Sequence, residues 1–152
     1  MFNPKLLTPN QKFFLDLSIP SLYLLPLLIV FFLPKDFGFG NESLVPLSLI
    51  IGLSGLVLWI AGMACLGKAL RILPETDSIV ARGVYRFIRH PIYVGIVCTH
   101  FGLFFACGST FGMIYLFVII IPLNIIRAQL EEKAMFAKFG DRYRAYHNLT
   151  WF

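Results

Sequence analysis

The stretch GVYRFIRHPIYVG, residues 83–95, crowds Arg86, Arg89 and His90 against Pro91. The proline drives His90 toward extended backbone and itself suits the first position of a helix. The free N–H groups and positive dipole end of that helix then lie beside two guanidinium groups and an imidazole, a setting for a carboxylate or phosphate. A second constellation follows in RAQLEEKAMFAKFGDRYRAY, residues 127–146, which carries the adjacent carboxylates Glu131 and Glu132. Arg127 and Glu131 are one helical turn apart and share a face, while Glu132 points about 100° away. An anion-binding end and a cation-binding end together suit an amino-acid zwitterion that carries further positive charge. Cys65, Cys98 and Cys107 lack metal-ligand spacing and read as packing residues, so no metal is expected.

The elements that must position these groups are set by composition. Of 152 residues, 58% are hydrophobic and 14% charged, and the apolar residues fall into long blocks rather than alternations, which excludes a soluble domain and a membrane β-barrel. An all-α, polytopic membrane protein forming a single domain over 1–152 is expected. Crossing the hydrocarbon takes roughly 20 apolar residues, which gives four spans: Phe13 to Leu33, Leu44 to Leu66, Pro91 to Ala106 and Thr110 to Ile126. The last two are separated only by CGS and read as a tight hairpin. A C-terminal amphipathic helix continues beyond the bilayer, with Leu130, Ala134, Phe136 and Ala137 packing inward and Gly140 as its stop. Pro20, Pro26, Pro46 and Pro122 fall within or at the ends of spans, where neighbouring helices can satisfy the carbonyls they orphan.

Orientation follows from the positive residues near helix ends. Lys5 and Lys12 precede the first span, Lys68, Arg71, Arg82, Arg86 and Arg89 separate the second from the third, and five more follow the fourth; Lys35 falls on the other side. Four spans then put both termini and both polar constellations in the cytoplasm. The net charge of +5 is accounted for by topology and anionic headgroups, and no nucleic-acid partner is inferred.

The two constellations, in this order and in a membrane context, resemble the integral membrane methyltransferases that include isoprenylcysteine carboxyl methyltransferase and the phospholipid N-methyltransferases. The shared pattern is an Arg-His-Pro-x-Tyr segment, then a Glu-Glu pair leading to Phe-Gly and spaced tyrosines, and it covers residues 77–147. The resemblance implies S-adenosyl-L-methionine as cofactor and a lipid-like or amphipathic acceptor, carboxylate or amine, reaching the site from the bilayer. It implies that Tyr85, His90, Pro91, Ile92 and Tyr93 line the cofactor pocket, with Glu131 and Glu132 opposite and Ile79 and Val80 contributing from the DSIV stretch. Arg127 takes the place of an arginine that serves the acceptor, and Arg89 belongs to the motif. The DSIV stretch departs from the prenylcysteine branch at Asp77, while Val84 stands where many relatives have proline and Ile92 where that branch has a small residue, and the last two weaken transfer of that branch's substrate.

Two other classes compete: a membrane reductase of related architecture using NADPH, and a non-enzymatic four-span transporter or silent relative. No added phosphate-binding signature supports the first. Against the second, the chain keeps its charges at the cytoplasmic side apart from His100, which lies near the helix face of Tyr93 and reads as a packed histidine before a pocket-lining one. Asn124 suits an interhelical hydrogen bond or an acceptor contact equally. Asp16 falls at the cytoplasmic interface, and Tyr143, Tyr146 and Trp151 read as packing or interfacial anchors.

Overall fold

The computed structural model describes residues 21–26, 28, 30–32, 44–67 and 79–152. Most of the first expected span, its following turn, Asp77 and the lysines at 5, 12, 35 and 68 lie outside the described residues. Within them the chain is helical: α1 (Ser21–Phe32), α2 (Leu44–Leu66), α3 (Pro91–Ala106), α4 (Thr110–Phe139) and α5 (Asp141–Leu149), with one turn of 3-10 helix at Gly83–Arg86. No strand occurs among the described residues; one parallel bridge joins Ile88 to Trp151. Among the described residues, only α2 and α4 are long and apolar enough to cross a membrane, and α1 and α3 are apolar but shorter.

Small residues set the packing of α2 on α3. Ser48, Gly55 and Gly62 are the buried residues of α2. A Cβ on Gly55 would lie 2.6 Å from both Cys98 Cβ and Thr99 N, and one on Gly95 would lie 2.6 Å from Trp59 N. The two backbones are therefore as close as glycine permits. In lipid, where apolar burial gives little drive, such close approach is what holds helices together. Leu47, Leu53, Val57 and Ile60 of α2 point away from this seam and are exposed.

Cys107–Ser109 connect α3 to α4. Gly108 has φ 63°, a left-handed value suited to glycine, and Ser109 Oγ accepts from Gly112 N at 3.1 Å to cap α4. Further along α4, a π-helical turn spans Leu116–Ile120 just before Pro122. Pro122 has no N–H for a carbonyl four residues back and its ring crowds that carbonyl, so the widened turn absorbs the conflict.

Pro26, fully buried in α1, raises the same problem, and neighbouring helices answer it. Leu22 O, the carbonyl Pro26 cannot satisfy, accepts from Tyr115 Oη at 2.9 Å, while a ring nitrogen of His100 lies 3.2 Å from Tyr23 O. His100 is thus a buried packing residue, its other nitrogen 2.8 Å from Ile96 O.

Gly140, at φ 50°, ends α4, and α5 begins at the next residue. Tyr143 is buried against Phe136, with ring centroids 4.7 Å apart and planes perpendicular. Leu130, Ala134 and Phe136 are half-buried as the amphipathic pattern predicts, but Ala137 is exposed. α5 folds back beside Phe136 and leaves the face of Ala137 uncovered.

Candidate functional site

The site forms where the 83–90 segment enters α3 and α4 leaves its apolar run. Arg82 docks that segment by donating from Nε and Nη2 to Cys65 O at 3.2 and 3.1 Å, at the end of α2. Gly83, at φ 57°, lies so close to Cys65 Sγ that no Cβ fits between them. The 3-10 turn then buries Tyr85, whose carbonyl accepts from Tyr146 Oη of α5 at 2.7 Å. Burial, chiefly, raises the Tyr85 hydroxyl above the ordinary tyrosine range and pushes Tyr146 up to about 12, so both stay neutral.

His90 caps α3 and Pro91 occupies the first helical position, as the sequence predicts. The imidazole is buried and stacks on Tyr93, with centroids 5.6 Å apart and planes 17° apart. Its Nε2 lies 3.3 Å from Glu132 Oε1, and its Nδ1 lies 3.8 Å from Glu131 Oε2. Desolvation holds the imidazole below the ordinary histidine range, opposed by its hydrogen bond to Glu132 and that carboxylate's charge. The ring stands between the two carboxylates as a hydrogen-bonding wall.

Tyr93 joins the two helices chemically. Its hydroxyl donates to Glu131 Oε1 and accepts from Arg127 Nε at 3.2 Å, while the Arg127 guanidinium carbon sits 5.6 Å from the ring centroid. Arg127 and Glu131 are therefore linked through one phenol, which their shared helix face allowed but did not require. Glu132, one residue on and on the other side of the His90 ring, takes Arg89 Nε at 3.0 Å. Arg89 Nη1 also donates to His147 O at 2.9 Å and Thr150 O at 2.6 Å. Two arginines and two glutamates thus balance, with the carboxylate side chains about a quarter exposed and Arg89 and His90 more enclosed.

Six predicted residues therefore come together: Arg89, His90, Tyr93, Arg127, Glu131 and Glu132. Ile92 turns its side chain to α2, where a Cβ on Gly62 would lie 2.7 Å from Ile92 Cγ1, and so does not bring that side chain to the cluster. Ile79 and Val80 are half-buried in the segment before the turn and, among the described residues, make no hydrogen bond to the cluster. Arg86 is exposed and stands apart.

Sequence reasoning missed the strap formed by Thr150–Phe152. Arg89 N donates to Trp151 O and Phe152 O at 2.9 and 2.8 Å, His90 N donates to Phe152 O at 3.2 Å, and the Phe152 ring meets His90 edge-on. Nothing in the composition of Thr-Trp-Phe marks such a role. The interhelical hydrogen bond expected as one reading of Asn124 is present, its Oδ1 accepting from Tyr23 Oη at 2.6 Å, although the sequence did not name the partner.

Apolar helices with a small-residue seam, carrying a half-buried ion-pair and tyrosine network at the end of an apolar run, are features of an integral membrane protein. The profile of the phospholipid methyltransferase family matches residues 44–142, and the chain belongs to that family. That match spans α2 through the start of α5 and so contains every clustered residue. No curated protein and no solved structure matches the chain.

Proposed function

We propose that the protein transfers a methyl group from S-adenosyl-L-methionine to a lipid-like or amphipathic acceptor at the cytoplasmic face of a four-span membrane domain. The observation that carries this reading is the balanced cluster of Arg89, His90, Tyr93, Arg127, Glu131 and Glu132 in a chain of the phospholipid methyltransferase family. The donor set suits the cofactor. Glu131 and Glu132 can take its ammonium, the free N–H groups of Ile92 and Tyr93 in the first turn of α3 can take its carboxylate, and the His90–Tyr93 stack offers an aromatic wall.

The cofactor, when bound, supplies a methyl group already activated by its sulfonium. The protein's own residues then need only hold, align and desolvate, because no nucleophilic side chain enters the reaction. Arg127, on the bilayer side of Glu131, is proposed to hold the acceptor in line. A carboxylate acceptor needs no base, whereas an amine must give up a proton to water or to a neighbouring carboxylate.

The deciding experiment is ligand binding to the purified protein, with S-adenosylhomocysteine and NADPH compared by calorimetry. Binding of the first and not the second supports methyl transfer. The reverse result replaces it with the reductase reading, and binding of neither removes both.

A further inference from the structure

Asn124 is 96% buried, and its Nδ2 is the one buried side-chain polar atom without a hydrogen-bond partner among the described residues. Its Oδ1 is taken by Tyr23 Oη at 2.6 Å, so the amide is held in place while its donor end is unmet. An unpaired amide N–H at this depth in an apolar run is costly, and native structures seldom keep one without a use. Asn124 precedes Glu131 by seven residues, which puts both on one face of α4 about 10 Å apart along the axis, with Asn124 on the apolar side. Tyr23 is half-buried where α1 meets α4, and Leu24 and Leu28 on α1 and Ile125 on α4 are exposed.

We propose that the Asn124 amide donates to a carbonyl oxygen of the amphipathic methyl acceptor, entering between α1 and α4, and so fixes the distance from that carbonyl to the methylated atom. If Glu131 marks the methyl-transfer centre, as proposed above, a donor two helical turns deeper sits at the level where an ester-linked lipid carries its chain carbonyls. A headgroup reaching Glu131 and a carbonyl reaching Asn124 are then read together. An amphiphile without that carbonyl leaves the amide unpaired and is discriminated against. Asn124 is thus a specificity-determining residue set apart from the ionic cluster.

The test uses native mass spectrometry of the full chain with two phospholipids of identical headgroup and chain length, one with ester linkages and one with ether linkages. The parent protein should retain the ester lipid about tenfold better, the loss expected for one unmet buried hydrogen bond. Asn124→Ala should retain both equally. Tyr23→Phe should keep the preference, because it removes the hydroxyl on the oxygen side and leaves the amide hydrogens. No preference in the parent overturns the proposal, as does a preference that survives in Asn124→Ala. Equal loss in Asn124→Ala and Tyr23→Phe also overturns it, since the pair is then only a clamp between helices. S-adenosylhomocysteine affinity measured on the parent separates the two readings: ester preference without cofactor binding removes methyl transfer and keeps the carbonyl site, and the converse removes the carbonyl site alone.

Discussion

Arg89→Ala tests how the cluster is held together. The side chain makes three hydrogen bonds, to Glu132 Oε1, His147 O and Thr150 O, and so ties α4 and α5 to the segment that positions His90. Hydrogen bonds involving a charged group contribute about 1.5–3 kcal/mol each. They are not additive, and partial exposure of Arg89 and Glu132 screens the ion pair, so the net loss expected is about 2–4 kcal/mol. Glu132 would keep only the ring of His90. Because the lost partners lie in α5 and the Thr150–Phe152 strap, the loss should appear as local opening there rather than global unfolding. Amide exchange over residues 141–150 should then accelerate roughly 30- to 1,000-fold, with the α2–α3 seam unchanged. Arg89→Lys should recover part of the protection, since it keeps the charge and loses the planar fork. Unchanged exchange in α5, or equal acceleration in α2 and α3, would refute the clamp; lost cofactor affinity with α5 fully protected would make Arg89 a ligand contact instead.

Glu131→Ala should abolish S-adenosylhomocysteine binding by calorimetry in a protein that still elutes as the parent does, whereas Arg127→Ala should lose methyl transfer to lipid extracts more than cofactor affinity; the opposite pattern would exchange their roles. Burial holds His90 below the ordinary histidine range, so on acidification the unfolded chain takes up that proton first. Its stabilisation is full above about pH 6.5 and declines below it. The thermal midpoint should therefore fall from pH 7.5 to 5.5 more in the parent than in His90→Gln, and equal slopes would remove His90 as a cause. Gly95→Ala, whose Cβ would meet Trp59 N and Gly55 O at 2.6 and 2.7 Å, should cost about 1–3 kcal/mol by separating α2 from α3, seen as a lower midpoint in detergent. Cysteines placed at Asn41 should be labelled from outside, and at Thr76 or Asn148 only from inside; outside labelling at Thr76 would break the four-span topology.

The helical class, α2 from Leu44 to Leu66, Pro91 as the start of α3 and Gly140 as the end of α4 are legible in the sequence, because apolar run length, proline and glycine act locally. The two polar constellations are legible for the same reason: charge beside an apolar run is costly and so conspicuous. What one-dimensional spacing leaves undetermined is which charge meets which. Only packing decides that Tyr93 bridges Arg127 to Glu131, that Glu132 takes Arg89, and that Ile92 turns to Gly62. The π turn before Pro122 changes the angular register of α4, so helical periodicity counted from Thr110 does not give the facing of Asn124 or Glu131. The Thr150–Phe152 strap and the unmet amide of Asn124 arise from contacts between segments far apart in the chain, and such contacts depend on how α1, α3, α4 and α5 assemble, which no local pattern of residues encodes.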